Sequence, residues 1–197
     1  MRRKLIWINR AAVFKQETSG WKKGKDPGPD YQTAVVDGQI FHRDLHPDLK
    51  HIDFRWAFER GDTCCVNYYC GAIVGWDFTT SQATQVLPGL VFEVPDHCSY
   101  DFASFTHQDH RGLGLADQRG YNWTTVHDYA EDESKKASLW YIDLRNSASL
   151  SAFSHTAADF VDLVGYIGYL KIGNRFFCWR DKDCAALGAG FKAAAIK

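Results

Sequence analysis

A chain of 197 residues is long enough to bury a sizeable core and falls within the range of one domain. Hydrophobic residues make up 45% and charged residues 24%, which are ordinary globular proportions. Lysine plus arginine (23) nearly equals aspartate plus glutamate (24), so the charge balance offers no built-in attraction for nucleic acid or an anionic membrane, and neither is an expected partner.

No apolar run approaches ~18 residues, so no transmembrane segment is expected. The opening Met1-Arg2-Arg3-Lys4-Leu5-Ile6-Trp7-Ile8 has the look of a secretory signal. Asn9 and Arg10 cut its apolar stretch below the ~7–15 residues such a signal needs. A first strand is expected over 3–8, ending at that polar pair. Lys15 to Asp30 is polar and rich in Gly, Pro and Lys, and reads as a surface loop. Tyr31–Val36 and Gln39–His42 flank Asp37-Gly38, the dipeptide of a tight hairpin turn. Asp48 is expected to cap a helix running to Arg60 and ended by Gly61. A second hairpin, Thr63–Tyr69 with Ala72–Thr79, is expected around Cys70-Gly71. Short strands follow at Leu90–Val94 and Ser99–Thr106.

A helix is expected directly after the glycines at 112 and 114, with Leu115, Trp123, Val126 and Ala130 at helical spacing and Gly120 weakening its middle. Glu131 to Lys136 reads as a solvated helix end. Leu139–Leu144 reads as a strand, Asn146–Phe160 as a helix, and Leu163–Ile172 with Arg175–Trp179 as a strand pair around Gly173-Asn174. The Ala- and Gly-rich tail after Asp181, residues 181–197, receives no function. The six cysteines, at 64, 65, 70, 98, 178 and 184, show no CxxC and no paired metal spacing. Free buried thiols in a reducing cytosol, and hence a cytoplasmic protein, are expected. Aromatic residues at 15% fit core packing or an aromatic-lined ligand cleft.

The segment that carries chemistry is Arg111-Gly112-Leu113-Gly114-Leu115-Ala116. The first turn of a helix has unsatisfied N–H groups and the positive end of the macrodipole. Glycines at 112 and 114 let a phosphate approach the backbone, and Ala116 is small enough to keep that approach open. Arg111 adds a charged donor. No Gly-Lys-Ser/Thr follows, so this is not a Walker loop. Gly112-x-Gly114 continues to Asp117 rather than glycine, and it sits mid-chain, unlike a dinucleotide fingerprint. The residues alone indicate an anion site or a turn closed by its glycines.

Arg111 to Ala116 resembles in full motif A of the GCN5-related N-acetyltransferases (GNATs): Arg or Gln, two residues, Gly, one residue, then Gly or Ala. Gly71-Ala72-Ile73-Val74-Gly75-Trp76 resembles the third strand of that family. Ile142-Asp143-Leu144-Arg145-Asn146-Ser147-Ala148-Ser149 resembles its fifth strand and the helix that begins with Asn. The three motifs lie in family order between about Thr63 and Trp179, while 10–60 follows it only in general order. The resemblance implies an α/β domain with a central mixed, mostly antiparallel sheet, splayed between strands four and five and flanked by helices. It implies acetyl-CoA or another acyl-CoA as cosubstrate, with an N-acyltransferase activity towards a small-molecule or protein amine, and it allows a homodimer.

By the same resemblance, Ser104, Phe105 and Thr106 lie along the pantetheine arm through their backbone, and the pyrophosphate sits on the N–H groups of Gly112, Leu113, Gly114, Leu115 and Ala116. Asn146 matches the family's Asn near the CoA arm and is equally suited to cap a helix. The family's acidic Tyr, seven residues on, is replaced here by Phe153, which cannot donate a proton. A catalytically silent domain of this fold that binds CoA or a metabolite for regulation or assembly is therefore the alternative reading. Candidate general bases are Asp101 first, then Asp77, His107 and Asp109, each with an ordinary structural explanation. The His107-Gln108-Asp109-His110 cluster has metal-ligand residue types, but the expectation is no metal. Tyr68, Trp76, Phe102 and Trp140 suit either an apolar ligand or the core.

Overall fold

The computed structural model describes residues 6–17, 25–126, 137–156 and 161–194, and for 123–126 and 152–156 only the backbone. In chain order the elements are β1 (Ile6–Glu17), β2 (Tyr31–Val36), α1 (Gly38–Asp44), α2 (Arg55–Arg60), β3 (Thr63–Tyr69), β4 (Ala72–Thr80), β5 (Thr84–Leu87), β6 (Leu90–Glu93), β7 (Cys98–Thr106), α3 (Leu115–Val126), β8 (Ala137–Asp143), α4 (Ser147–Thr156), β9 (Asp162–Ile172), β10 (Arg175–Arg180), α5 (Lys182–Leu187) and β11 (Gly190–Ala193). Short 3-10 turns cover Pro47–Leu49 and Gln108–His110. No helix among the described residues is long and apolar enough to cross a membrane. The chain falls into two compact units. One draws on Met1–Glu17, Ser81–Tyr100 and Ser134–Lys197, the other on Thr18–Thr80 and Asp101–Glu133.

In the first unit β1 lies between β9 and β8, antiparallel to both, and β10 pairs with β9. Ladders on both sides take up the β1 backbone, so the strand does not stop at Asn9-Arg10 as the sequence suggested. It runs on to Glu17, with Ala11, Ala12 and Val13 fully buried. The Asn9 carboxamide is taken up by Asp143 Oδ2 at 2.7 Å, which makes a polar residue compatible with the strand. β8 pairs in parallel with the first residues of β7, from Cys98↔Ala137 to Tyr100↔Leu139.

A three-stranded sheet, β11-β6-β5, completes this unit. Strand β5 is absent from the sequence reading, and so is the structure of the tail. Asp181 caps α5 by accepting the Cys184 N–H at 2.9 Å, and it also accepts the Tyr166 N–H at 2.6 Å. The tail then forms β11, whose Phe191 packs on Phe92, Tyr141 and Tyr169. Cys184, Ala189 and Phe191 are buried, so the tail contributes side chains to the core.

In the second unit β2 pairs with β3 and β3 with β4, all antiparallel. The β3–β4 hairpin turns at Cys70-Gly71 as expected, with both residues in the left-handed region (φ 48° and 84°). Asp37-Gly38 does not make a hairpin. Asp37 is extended (φ −83°, ψ 173°) and accepts the Ile40 N–H at 2.8 Å, so it is the N-cap of α1, and Gln39–His42 is helical. The partner of β2 is β3 instead. The helix expected over 48–60 is broken into two pieces. His46 opens the 3-10 turn, and α2 starts only after Asp53, whose carboxylate accepts the Arg55 N–H. Gly61 ends α2 as expected.

Side chains alternate along β4, and the two faces differ in chemistry. Trp76 and Phe78 meet Phe41 of α1, Phe54 ahead of α2 and, for Phe78, Phe58 of α2, forming an aromatic core. Asp77 points the other way, to α3. Of the apolar positions expected on α3, Leu115 is buried, Trp123 and Val126 are described only as backbone, and Ala130 and the run 131–136 lie outside the described residues.

The first unit depends on a close approach at Gly168. A Cβ there would come within 2.2 Å of the Trp179 ring and 2.5 Å of the Asn9 carbonyl. Gly168→Ala is expected to cost about 1–3 kcal/mol, read as a lower urea midpoint at unchanged slope.

Candidate functional site

The site is built from the end of β7 and the start of α3. Ala103 breaks the strand with φ 54°, a conformation uncommon for a residue with a side chain. That break inserts one residue into the alternation. Phe102 and Phe105 therefore share the aromatic face, Phe102 against Phe78 and Phe105 stacked on Trp76 at 4.5 Å. Asp101, Ser104 and Thr106 share the opposite face, where Thr79, Asp77 and α3 lie.

After Thr106, the His107 N–H donates to the Val74 carbonyl at 2.8 Å, which ties the strand end to β4. His107 Nδ1 then accepts from the Asp109 N–H and opens the 3-10 turn. Arg111 turns back, its Nε donating to the Thr106 carbonyl at 3.1 Å. Gly112 and Gly114 follow at φ 76° and 73°. α3 starts at once, with the Gln118 N–H bonded to the Gly114 carbonyl at 3.1 Å. Nothing lies within 4 Å of a Cβ added at Gly112. Leu115 is buried and fixes the helix start, while Arg111, Gly112 and Ala116 are exposed and Leu113 is half-buried. Asp117, in the first turn of α3, has its carboxyl pushed up by burial, against the pull of Arg119.

The loop expected at the surface before β2 reaches this site. Gln118 Nε2 donates to the Lys25 carbonyl at 2.9 Å, and the Lys25 backbone lies 3.5 Å from a Cβ added at Gly114. Neither Lys25 nor Gln118 was marked by the sequence, because no local pattern links residues 93 apart.

Arg119 is the other residue that the sequence reading missed. It is 1% exposed on α3. Its guanidinium donates to Asp77 and to Asn67 Oδ1, and lies 3.4 Å from Thr106 Oγ1 and 3.5 Å from Ser104 Oγ. Gly75 lies beneath it, where a Cβ would come within 2.7 Å of Nη1. The periodicity of α3 marked only apolar positions, so a buried cation on its inner face left no signal.

The expected bases are thus placed. Asp77 is engaged by Arg119, and Asp101 accepts the Thr79 hydroxyl at 2.7 Å. His107 is nearly buried, 4.9 Å ring to ring from His46, and Asp109 is largely exposed beside it. His110 accepts or donates at 2.7 Å with the Tyr31 hydroxyl, and burial together with the neighbouring His107 holds its pKa below the usual histidine value. Trp76, Phe102 and Trp140 are buried, so the core reading holds for them, and Tyr68 donates to Asp44 at 3.3 Å.

In the first unit Asn146 Oδ1 accepts the Ser149 N–H at 3.2 Å, the geometry of a cap on α4. Phe153 lies on α4, its side chain outside the described residues.

No protein-family model matches the sequence, and no curated protein matches it. Solved structures do. A Drosophila protein superposes with a TM-score of 0.53 at 10% identity, over 86% of this chain and 53% of its own. A conserved protein of unknown function from Staphylococcus epidermidis superposes with a TM-score of 0.50 at 10% identity, over 85% of this chain and 63% of its own. An acetyltransferase of the GNAT family from Colwellia psychrerythraea reaches 0.45 at 11% identity, over 90% and 57%. This chain spans about half to two-thirds of the length of these structures. The fold shared with the Drosophila and Staphylococcus structures is an α/β fold with a mixed, mostly antiparallel sheet and a short parallel pairing of β7 with β8.

Removing Arg119 leaves Asp77 and Asn67 without their shared donor. Arg119→Met is expected to cost about 3 kcal/mol, and adding Asp77→Asn to restore part of that loss. Urea unfolding of the single and double variants checks both. A single-variant loss below about 1 kcal/mol would show that water reaches Asp77 and replaces the guanidinium.

Proposed function

We propose that the protein is an acyl-CoA-dependent N-acyltransferase that moves an acetyl group from CoA to an amine, with Arg111 to Ala116 cradling the cofactor's pyrophosphate. The observation that carries this reading is the pair of left-handed glycines opening directly onto a twelve-residue helix, with open space above Gly112. Backbone N–H groups of that loop and first helical turn are suited to phosphate oxygens. Arg111 lies within the loop, and the Lys25 backbone packs against Gly114. The resemblance of Arg111 to Ala116 to motif A of the acetyltransferases supports coenzyme A over other phosphate ligands.

The backbone of Ser104, Phe105 and Thr106 would then pair with the pantetheine arm. In the reaction a neutral amine attacks the thioester carbonyl, a new C–N bond forms, and the C–S bond breaks as the thiolate leaves. The amine's proton passes to a base or to water, and the thiolate is protonated. Positioning and a backbone donor to the developing oxyanion supply most of the rate. Asp101 is the proposed base. Asp101 accepts the Thr79 hydroxyl at 2.7 Å. A silent domain that binds CoA without transfer is the reading favoured by the engagement of Asp77 with Arg119 and by Phe153 in place of a tyrosine.

The cradle is tested by calorimetric titration with acetyl-CoA and free CoA of wild type, Gly114→Ala and Gly114→Asp. Both variants carry the strain of a side chain at φ 73°, so their difference reports charge at the phosphate position. Binding by Gly114→Asp is expected to be at least about tenfold weaker than by Gly114→Ala. Equal binding by the two sinks the cradle. Thiol release from acetyl-CoA with a panel of amines separates the enzyme from the silent domain.

A further inference from the structure

We propose that His46, Asp48 and His107 form a binding site for a first-row divalent cation of the zinc class, distinct from the Arg111–Ala116 loop. The site rests on two loops that the sequence keeps 61 positions apart and that carry the same short pattern, His46-Pro47-Asp48 and His107-Gln108-Asp109. Each histidine opens a 3-10 turn, and each Nδ1 accepts the N–H two residues on at 3.4 Å. Each also has the carboxylate of that residue 3.8 Å away.

Strand β4 brings the two loops together. The His46 N–H donates to the Ile73 carbonyl at 3.0 Å and the His107 N–H to the Val74 carbonyl at 2.8 Å. Consecutive carbonyls of a strand face opposite edges. The loops are thus anchored on either edge of the start of β4, and their imidazoles meet with ring centroids 4.9 Å apart. Both anchors are backbone bonds, so they fix the two loops without engaging the ring nitrogens.

Ligand atoms of His46, Asp48 and His107 all lie within 4.8 Å of one another. A tetrahedral ion with bonds of about 2.0–2.1 Å sets its ligand atoms about 3.4 Å apart. Side-chain rotation of about an ångström closes that difference, and the 3.4 Å bonds to Nδ1 are long enough to yield. Two imidazoles and one carboxylate form a donor set for zinc, or for iron, cobalt, nickel or copper in the same oxidation state, and not for calcium or magnesium. Water or an anionic ligand takes the remaining position. The Asp109 carboxylate lies 3.8 Å from His107 Nδ1.

His107 is nearly buried and its replacement threatens the fold, whereas Asp48 is 75% exposed at its side chain. The test is calorimetric titration of the full, chelator-stripped chain with zinc chloride. The variants are His46→Gln and Asp48→Asn, with His97→Gln and Cys70→Ser as controls for scattered surface histidines and thiols. The expected result is one saturable site per chain, weakened at least about tenfold in His46→Gln and Asp48→Asn and unchanged in the two controls. Absence of saturable binding by wild type, or equal binding by wild type and Asp48→Asn, overturns the proposal. Neither outcome depends on whether the protein binds coenzyme A.

Discussion

A guanidinium that is almost wholly withdrawn from water must have its donors taken up inside the protein, and Arg119 imposes that condition on the second unit. Its partners come from three strands: Asn67 on β3, Asp77 on β4, and the hydroxyls of Ser104 and Thr106 on β7. The strand beneath it has to be glycine at 75, since any side chain would occupy the cation's place. The helix that carries Arg119 is the one whose first turn follows the Gly112–Gly114 loop. The polar cluster thereby fixes where the helix start lies relative to β7, and the loop between them has its two ends set.

Asp77 also shows how burial decides roles. Read from the sequence, it was one of several carboxylates on a strand near a cofactor loop, each available as a base. Bonded to a buried cation, it is a structural anion whose negative charge is needed where it is. Asp101, on the same face, accepts the Thr79 hydroxyl. The chemistry of a carboxylate here is set by what α3 places over it, and no property of the strand's own sequence distinguishes the two.

Much of the second unit was nevertheless legible. The Cys70-Gly71 turn demands two left-handed residues, and flanking runs of alternating residues leave little else for it to be. The glycine loop before a helix was legible for the same reason, because glycine spacing is local. Asp37-Gly38 misled because the dipeptide serves equally as a hairpin turn and as a helix cap followed by its first residue. What decides between them is Phe41, which as part of a helix reaches Phe54, Phe58, Trp76 and Phe78. That choice depends on the aromatic core as a whole. The tail after Asp181 misled differently. Its small residues carry no periodic signal, and its place is given by one cap and one ring, Asp181 and Phe191.

Ala103 is the least legible residue and one of the most consequential. A strand with strict alternation would put Phe102, Ser104 and Thr106 on one face and Phe105 on the other, with apolar and polar groups mixed on both. The left-handed step at Ala103 sorts them. Phe105 joins the stack on Trp76, and the hydroxyls of Ser104 and Thr106 turn to the guanidinium. The same step sets the register of the residues beyond it, through the bond from His107 to Val74 and the return of Arg111 to the Thr106 carbonyl. The Gly112–Gly114 loop and His107 both follow this strand end. A strained residue of no evident chemistry therefore governs the positions of its neighbours, and this is why the residues of the glycine loop could be named from sequence while His46, which meets His107 only through β4, could not.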